Sequence, residues 1–266
     1  MAVELNERRR GIKKGEVALH IPCYISQLRP ELGEIAVRVL KKVGVEVEIP
    51  PNQTCCGQPF INSGLPTTLP EQFNSIFKNY RYVVSLSSSC ISTIKKVGVE
   101  VAPRCYELVQ FLREVVGVKG IASPEGTPVP PEEVGLPPIA LHNSCHSLRY
   151  LHEGSYSEKP GPYYNWVEEV TGLRFMTAER DECCGFGGVY SVKEGFLSYV
   201  MGKRKLEELL RTGAKIVTGV DLSCLLHLEG IARKEEIEVE FWHIVELLDR
   251  LLSPIPSSSP SRGVEN

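Results

Sequence analysis

Eight of the nine cysteines in the 266-residue chain fall into a pattern that occurs twice. The first copy is Cys23, the adjacent pair Cys55-Cys56 followed by Gly57, and Cys90; the second is Cys145, the pair Cys183-Cys184 followed by Gly185, and Cys224. The flanks repeat as well, Ala18-Leu19-His20 standing before Cys23 as Ala140-Leu141-His142 stands before Cys145. Convergent thiolates bind soft metals, chiefly zinc and iron–sulfur clusters. Zinc sites commonly take C-x-x-C knuckles, and neither copy contains one. Adjacent cysteines on a single zinc ion would close a tight, strained ring, whereas on a cluster they reach different irons. Gly57 and Gly185 can take positive φ and let the backbone approach inorganic sulfide closely. Phe186-Gly187-Gly188 lengthens the second turn and offers further N–H groups to an anionic centre, although the same run also reads as ordinary turn chemistry.

The bulk properties narrow the class. A chain of 266 residues with 42% hydrophobic and 24% charged residues is ordinary for a globular protein. The formal net charge of −3 provides no basic face for nucleic acid. No run approaches the length of apolar sequence that a bilayer-spanning helix needs. Residues 1–16 carry Arg8, Arg9, Arg10, Lys13 and Lys14 with no apolar region behind them, unlike an export signal. The expected location is the cytoplasm, where thiols stay reduced, so the cysteines read as metal ligands and not as a disulfide framework.

Strand must then alternate with helix to bring the cysteines together. Val17 to Pro22 reads as a strand ending at Cys23, and the segment after Pro30 has Ile35, Val39, Leu40 and Val43 on one helical face, closed by Gly44. Strands are expected at 45–49 and 82–86, with Cys90 opening a helix, and a helix at 106–116 ends the first half. The second half repeats the plan: a strand at 139–143, a helix at 164–170, a strand at 174–177, a helix at 191–211, a strand at 215–220, then a last strand at 238–241 and a helix at 243–252. The fold class is α/β, as two tandem pseudo-symmetric lobes with mainly parallel sheets and the cysteines at the C-terminal ends of the strands. The divisions are a loose tail at 1–16, a first lobe at 17–118, a Pro- and Gly-rich linker at 119–138, a second lobe at 139–252, and a Ser- and Pro-rich disordered tail at 253–266.

A lone cysteine, a CCG triplet some thirty residues on and a further cysteine, all duplicated, resemble the cysteine-rich CCG domain found in heterodisulfide reductases, glycolate oxidase iron–sulfur subunits and lactate utilisation proteins. The resemblance covers residues 17–250. The motifs carrying it include Ile21-Pro22-Cys23-Tyr24, Gln53-Thr54-Cys55-Cys56-Gly57-Gln58-Pro59, Ser88-Ser89-Cys90, His142-Asn143-Ser144-Cys145-His146 and Cys183-Cys184-Gly185-Phe186-Gly187-Gly188. It implies one iron–sulfur cluster per lobe, partner iron–sulfur or flavin subunits, and electron transfer in the oxidation of L-lactate or a similar 2-hydroxy acid. The cysteine-rich chains of heterodisulfide reductases carry a fifth cysteine three positions after the last; here Thr93 and His227 stand there. That departure argues against disulfide cleavage and for an ordinary [4Fe-4S] cube, which four thiolates suffice to hold.

Other readings stay open. The chain is alternatively a thiol-disulfide reductase subunit, or an assembly protein with structural zinc in one lobe. His20 and His142 occupy equivalent positions, suited to a hydrogen bond to a cluster sulfur, to a proton relay, or simply to packing at a strand end. His146 with Arg149 would suit a carboxylate substrate, or a structural ion pair. His227 is an extra ligand or a helix-packing residue, and Cys105, outside the repeat, reads as a packed thiol. Asp221 and Glu182 flank cluster cysteines without a visible partner. With no Walker loop and no strand-embedded G-x-G-x-x-G, any flavin or nicotinamide is expected on a partner chain.

Overall fold

The computed structural model describes residues 11–123, 127–151, 162–179 and 182–252. Two three-stranded parallel sheets are built from consecutive strands: β1 (Val17–His20), β2 (Tyr82–Ser85) and β3 (Cys105–Glu107), then β4 (Ile139–Leu141), β5 (Ile216–Gly219) and β6 (Glu240–His243). β1 and β5 are buried along their whole length, the condition of parallel strands covered on both faces. In the first sheet His20 lies opposite Ser85, and in the second Leu141 lies opposite Thr218. Both halves are therefore α/β units of one plan.

Helices begin where strands end. Helix α1 (Cys23–Leu28) starts at the first cysteine, and α2 (Glu31–Lys42) follows Pro30. Glu31 and Glu34 in the first turn of α2, with Lys41 and Lys42 in the last, complement its dipole. Short helices α3 (Gln58–Asn62) and α4 (Leu69–Phe77) follow the first CCG triplet. Helix α5 (Ser88–Val97) is capped by Ser87, whose hydroxyl accepts from the Cys90 N–H at 3.2 Å. That cap fixes the backbone of a cysteine directly. The first half closes with α6 (Leu108–Phe111), extended by a wider turn over Leu112–Val116. The second half contains α7 (Pro162–Thr171), α8 (Val189–Lys193), α9 (Gly195–Leu210), α10 (Leu222–Lys234) and α11 (Ile244–Leu252).

Several sequence expectations change. The strand expected at 45–49 makes only a bridge, Ala18 to Glu48, because Pro50 and Pro51 follow and lack N–H donors. Gln53 takes over that edge, accepting from the Ile21 N–H and donating to the Leu19 carbonyl, both at 2.8 Å. The segment 174–177 is likewise reduced to a bridge, Ala140 to Met176, near a second one, Val129 to Leu173. The helix expected from 106 starts as strand β3 and turns helical only after Glu107, whose carboxylate accepts from Val109 N–H and Gln110 N–H. The helix expected at 191–211 is interrupted at Glu194, before Gly195, and the last strand lies two residues later than expected. Residues 120–122 of the connecting segment donate their N–H groups to the last carbonyls of α7, on Glu169, Val170 and Thr171, which answers the unpaired carbonyls of a helix end. Of the expected tails, 1–10 and 253–266 lie outside the described residues, and Arg81 ties down the Gly11 carbonyl at 2.8 Å.

Each half has an apolar cluster around its own cysteines, with Phe73, Phe77 and Ile91 near Cys56 and Cys90, and Leu206, Leu209 and Leu228 near Cys184 and Cys224. A larger third core draws on both halves, combining Val17, Leu40 and Phe111 with Ile139, Val167 and Leu248. Helix α11 packs on α2 of the other half, clasped by Arg29–Glu246 at 2.9 Å, Arg38–Asp249 at 2.9 Å and Lys42–Asp249 at 2.8 Å. The halves meet again at Asp221, fully buried ahead of α10. Its carboxylate accepts from Ser87 Oγ at 2.7 Å, from Ser88 Oγ, and from the Ser89 N–H at 3.2 Å. His243 Nε2 bridges the carbonyls of Leu86 and Val220 at 3.1 and 2.9 Å.

Because Leu248 is fully buried in the shared core, Leu248→Ala is expected to cost about 2–5 kcal/mol. Denaturant unfolding followed by circular dichroism should keep one transition, shifted to lower denaturant; two separated transitions would contradict a shared core. Asp221→Ala leaves three buried donors without their acceptor and is expected to destabilise by about 3 kcal/mol or more, read by the same titration.

Candidate metal centre

The strand ends and helix starts bring each cysteine set together. In the first half the thiols form a contiguous series, with Cys23 against Cys55, Cys55 against Cys56 and Cys56 against Cys90. In the second, Cys145 meets Cys183, Cys183 meets Cys184 and Cys184 meets Cys224. Cys56, Cys90, Cys184 and Cys224 are buried, Cys55, Cys145 and Cys183 half-buried, and Cys23 exposed. Each set is thus sealed behind and open in front.

The electrostatics repeat as faithfully as the sequence. Hydrogen bonds from Cys23 and then Cys56 pull the Cys55 thiol down to about 2, and those from Cys145 and then Cys184 do the same to Cys183, also to about 2. The partners move the other way: the contact with Cys55 and burial push Cys23 and Cys56 far up, and Cys145 and Cys184 follow suit through Cys183. Four adjacent thiolates would repel strongly, and a cation relieves that repulsion, because thiol ligands bind metal deprotonated. The donor set therefore fits a thiolate-bound metal centre in each half.

The CCG triplets act alike. Gly57 N–H donates to Cys55 Sγ at 3.4 Å, and Gly185 N–H donates to Cys183 Sγ at 3.4 Å. Their φ values are +87° and +86°, open to glycine at no steric cost. A Cβ on Gly185 would stand 2.5 Å from the Ser198 carbonyl oxygen. Gly187 and Gly188 lead into α8, and Gly188 lies on the wall of a cleft of about 550 Å³ between the halves. The first-half cysteines form one side of that cleft, and Phe186, Val189, Val192 and Leu226 form the other. Among the described residues neither lysine nor arginine lines it.

The two duplicated histidines differ. His20 is wholly buried, its Nδ1 2.9 Å from Ser85 Oγ and its ring edge-on to Phe73 and Phe77 at 5.0 and 5.7 Å. Burial lowers it to about 4. His142 is lowered to about 3, by burial first and then by the charge of Lys205, itself only 1% exposed. Neither ring nitrogen of His142 has a hydrogen-bond partner among the described residues. A ring nitrogen of His142 and the sulfurs of Cys184 and Cys224 lie within 4.8 Å of one another.

The remaining candidates are placed elsewhere. His146 Nε2 sits 2.9 Å from Gln58 Nε2 across the interface, with Nδ1 3.6 Å from Cys145 Sγ; the Arg149 side chain falls outside the described residues. His227 Nε2 is held 3.3 Å from the Ser198 carbonyl and 3.4 Å from its hydroxyl, facing the cleft. Cys105 is buried at the start of β3, donates to the Val101 carbonyl at 3.3 Å and is pushed up to about 12 by burial. Glu182 pairs with Arg204 at 3.1 Å. Asp221, unpartnered in local sequence, is held low despite burial by the charge of His146 and by the serine hydroxyls. Its partners are spread over two distant serine runs, which local reading cannot join. Lys205 had no signal beyond a helical position.

Comparison with known proteins agrees with this architecture. The profile of the cysteine-rich (CCG) domain matches residues 17–95 and again 139–229. The chain is 31% identical over 252 residues to Lactate utilization protein A of Oceanobacillus iheyensis, covering 88% of this chain and 96% of that one. It is 30% identical to Lactate utilization protein A 1 of Bacillus mycoides, with the same coverage, and 31% identical to its counterpart in Bacillus cereus strain AH820, covering 88% and 98%. No helix among the described residues is long and apolar enough to cross a membrane. With both copies of the motif matched and nearly the full length shared, the chain belongs to the family of duplicated cysteine-rich CCG-domain proteins that includes those called Lactate utilization protein A.

Proposed function

We propose that this chain is an iron–sulfur electron-transfer subunit of a complex that oxidises L-lactate, or a similar 2-hydroxy acid, to the 2-oxo acid. The observation that carries the reading is the pair of convergent four-cysteine sets, each with a glycine N–H on one of its sulfurs. Cys23, Cys55, Cys56 and Cys90 would hold one cluster, and Cys145, Cys183, Cys184 and Cys224 the other. A bound cluster supplies one-electron transfer, at a potential set by burial and by hydrogen bonds to sulfur. The N–H donors of Gly57 and Gly185 stabilise negative charge on the sulfurs they face, and the buried walls keep water from the rear of each centre.

Oxidation of a 2-hydroxy acid releases two electrons and two protons, and the carboxylate needs a cation for recognition. Among the described residues that line the cleft beside the first centre there is no lysine or arginine, and His227 there is held by Ser198; His146 is engaged by Gln58 and Cys145. In this reading substrate oxidation is assigned to a partner subunit, and this chain passes the electrons on. Thr93, where the disulfide-reducing relatives have a fifth cysteine, donates its hydroxyl to the Ser89 carbonyl at 2.8 Å, a helix contact with no redox chemistry.

Anaerobically purified protein should contain about eight irons and matching sulfide per chain, as two four-iron centres require. Cys56→Ser and Cys184→Ser should each lose about half of both; full iron in both variants, or zinc in place of iron, would refute the reading. Gly185→Ala should lower iron content more than Gly57→Ala, since both alanines take positive φ, at about 1–2 kcal/mol, but only the former meets backbone, at 2.5 Å. Equal iron in the two variants would show that the close approach at Gly185 is immaterial.

A further inference from the structure

The duplication places His20 and His142 three residues before the first cysteine of each set, and Ser85 and Gly219 five residues before the last. In the first half these positions meet: His20 lies opposite Ser85 in the sheet, and the hydroxyl holds Nδ1 at 2.9 Å. In the second half the serine is replaced by glycine, so the corresponding imidazole has no hydroxyl to bind. The replacement has a steric cause, because a Cβ on Gly219 would stand 2.9 Å from the carbonyl oxygen of His142. His142 is 2% exposed, and both ring nitrogens are without hydrogen-bond partners. A buried imidazole in that condition loses its hydration with nothing in return. The ring is nevertheless aimed at sulfur, with a nitrogen and the Cys184 and Cys224 Sγ atoms within 4.8 Å of one another. Among the described residues no other trio of candidate donors comes as close.

The geometry points to His142 as a direct ligand of the metal held by the second-half cysteines; His20, its Nδ1 held by Ser85 and its Nε2 unpartnered, forms no such trio with the first-half cysteines among the described residues. The two centres then differ in kind: the first is held by thiolates alone, the second by imidazole and thiolates. Neutral imidazole is a common metal ligand, and mixed nitrogen and sulfur donation occurs at both zinc and iron–sulfur centres. The identity of the metal as iron rests on the function proposed above; the ligation itself does not.

The test uses full-length protein made with 15N-histidine and purified anaerobically, with pulsed EPR of the reduced form. The expected result is a strong coupling from a histidine nitrogen, retained in Cys55→Ser, which removes the first-half centre, and lost in Cys55→Ser combined with His142→Ala. Absence of histidine coupling in the unsubstituted protein overturns the proposal, even if neither variant folds, and so does coupling that survives His142→Ala. If the second half holds zinc, X-ray absorption decides: a mixed nitrogen and sulfur shell supports His142 while sinking the electron-transfer reading, and a sulfur-only shell overturns His142 ligation.

Discussion

Four thiols in a contiguous series repel one another strongly once ionised, and much of this molecule is arranged around that constraint. Each set holds one sulfur low, Cys55 or Cys183, through its cysteine neighbours and one glycine N–H. Holding the set together without metal requires positions fixed by backbone, because side-chain attraction alone would not oppose the crowding. The fold supplies them in the same way in each half. The first cysteine follows the first strand, the pair rides on a left-handed glycine turn, and the last sits in the first turn of a helix.

Asp221 is where one half answers to the other. A fully buried carboxylate is costly unless it is well hydrogen-bonded, and here its donors come from the run Ser87 to Ser89 that also opens the helix carrying Cys90. Three residues further along its own chain is Cys224. The last cysteine of each set therefore hangs from the same charge, and a shift of one helix start is felt at the other. His243, between the carbonyls of Leu86 and Val220, repeats this coupling a short distance away.

Much of this was legible in the sequence because duplication acts as an internal alignment. The cysteine pattern, the paired glycines and the strand-to-helix order at Val17–Cys23 and Ile139–Cys145 could be read without coordinates. Local pattern failed where distant residues decided. Residues 45–49 alternate like a strand, but two prolines and the side chain of Gln53 close that edge instead. Asp221 looked unpartnered because most of its donors, Ser87 to Ser89, lie in the other half. Lys205 sits in a helical run with nothing local to mark it, and it is buried. The contrast of Ser85 with Gly219 was present in the sequence, yet it carries meaning only once the sheet register sets each residue beside its histidine.

The packing of α11 on α2 has a consequence for biosynthesis. Helix α2 is made before α11 and buries Leu32, Ala36, Val39 and Leu40, but part of its cover is that later helix. On a ribosome that emits the N-terminus first, the early half must wait with that face uncovered until α11 has emerged. Cys23, Cys55, Cys56 and Cys90 all come from that early half, but the helix start that carries Cys90 lacks its anchor until Asp221 is made. The first centre therefore takes its final form only once the second half, with Asp221 and α11, has emerged.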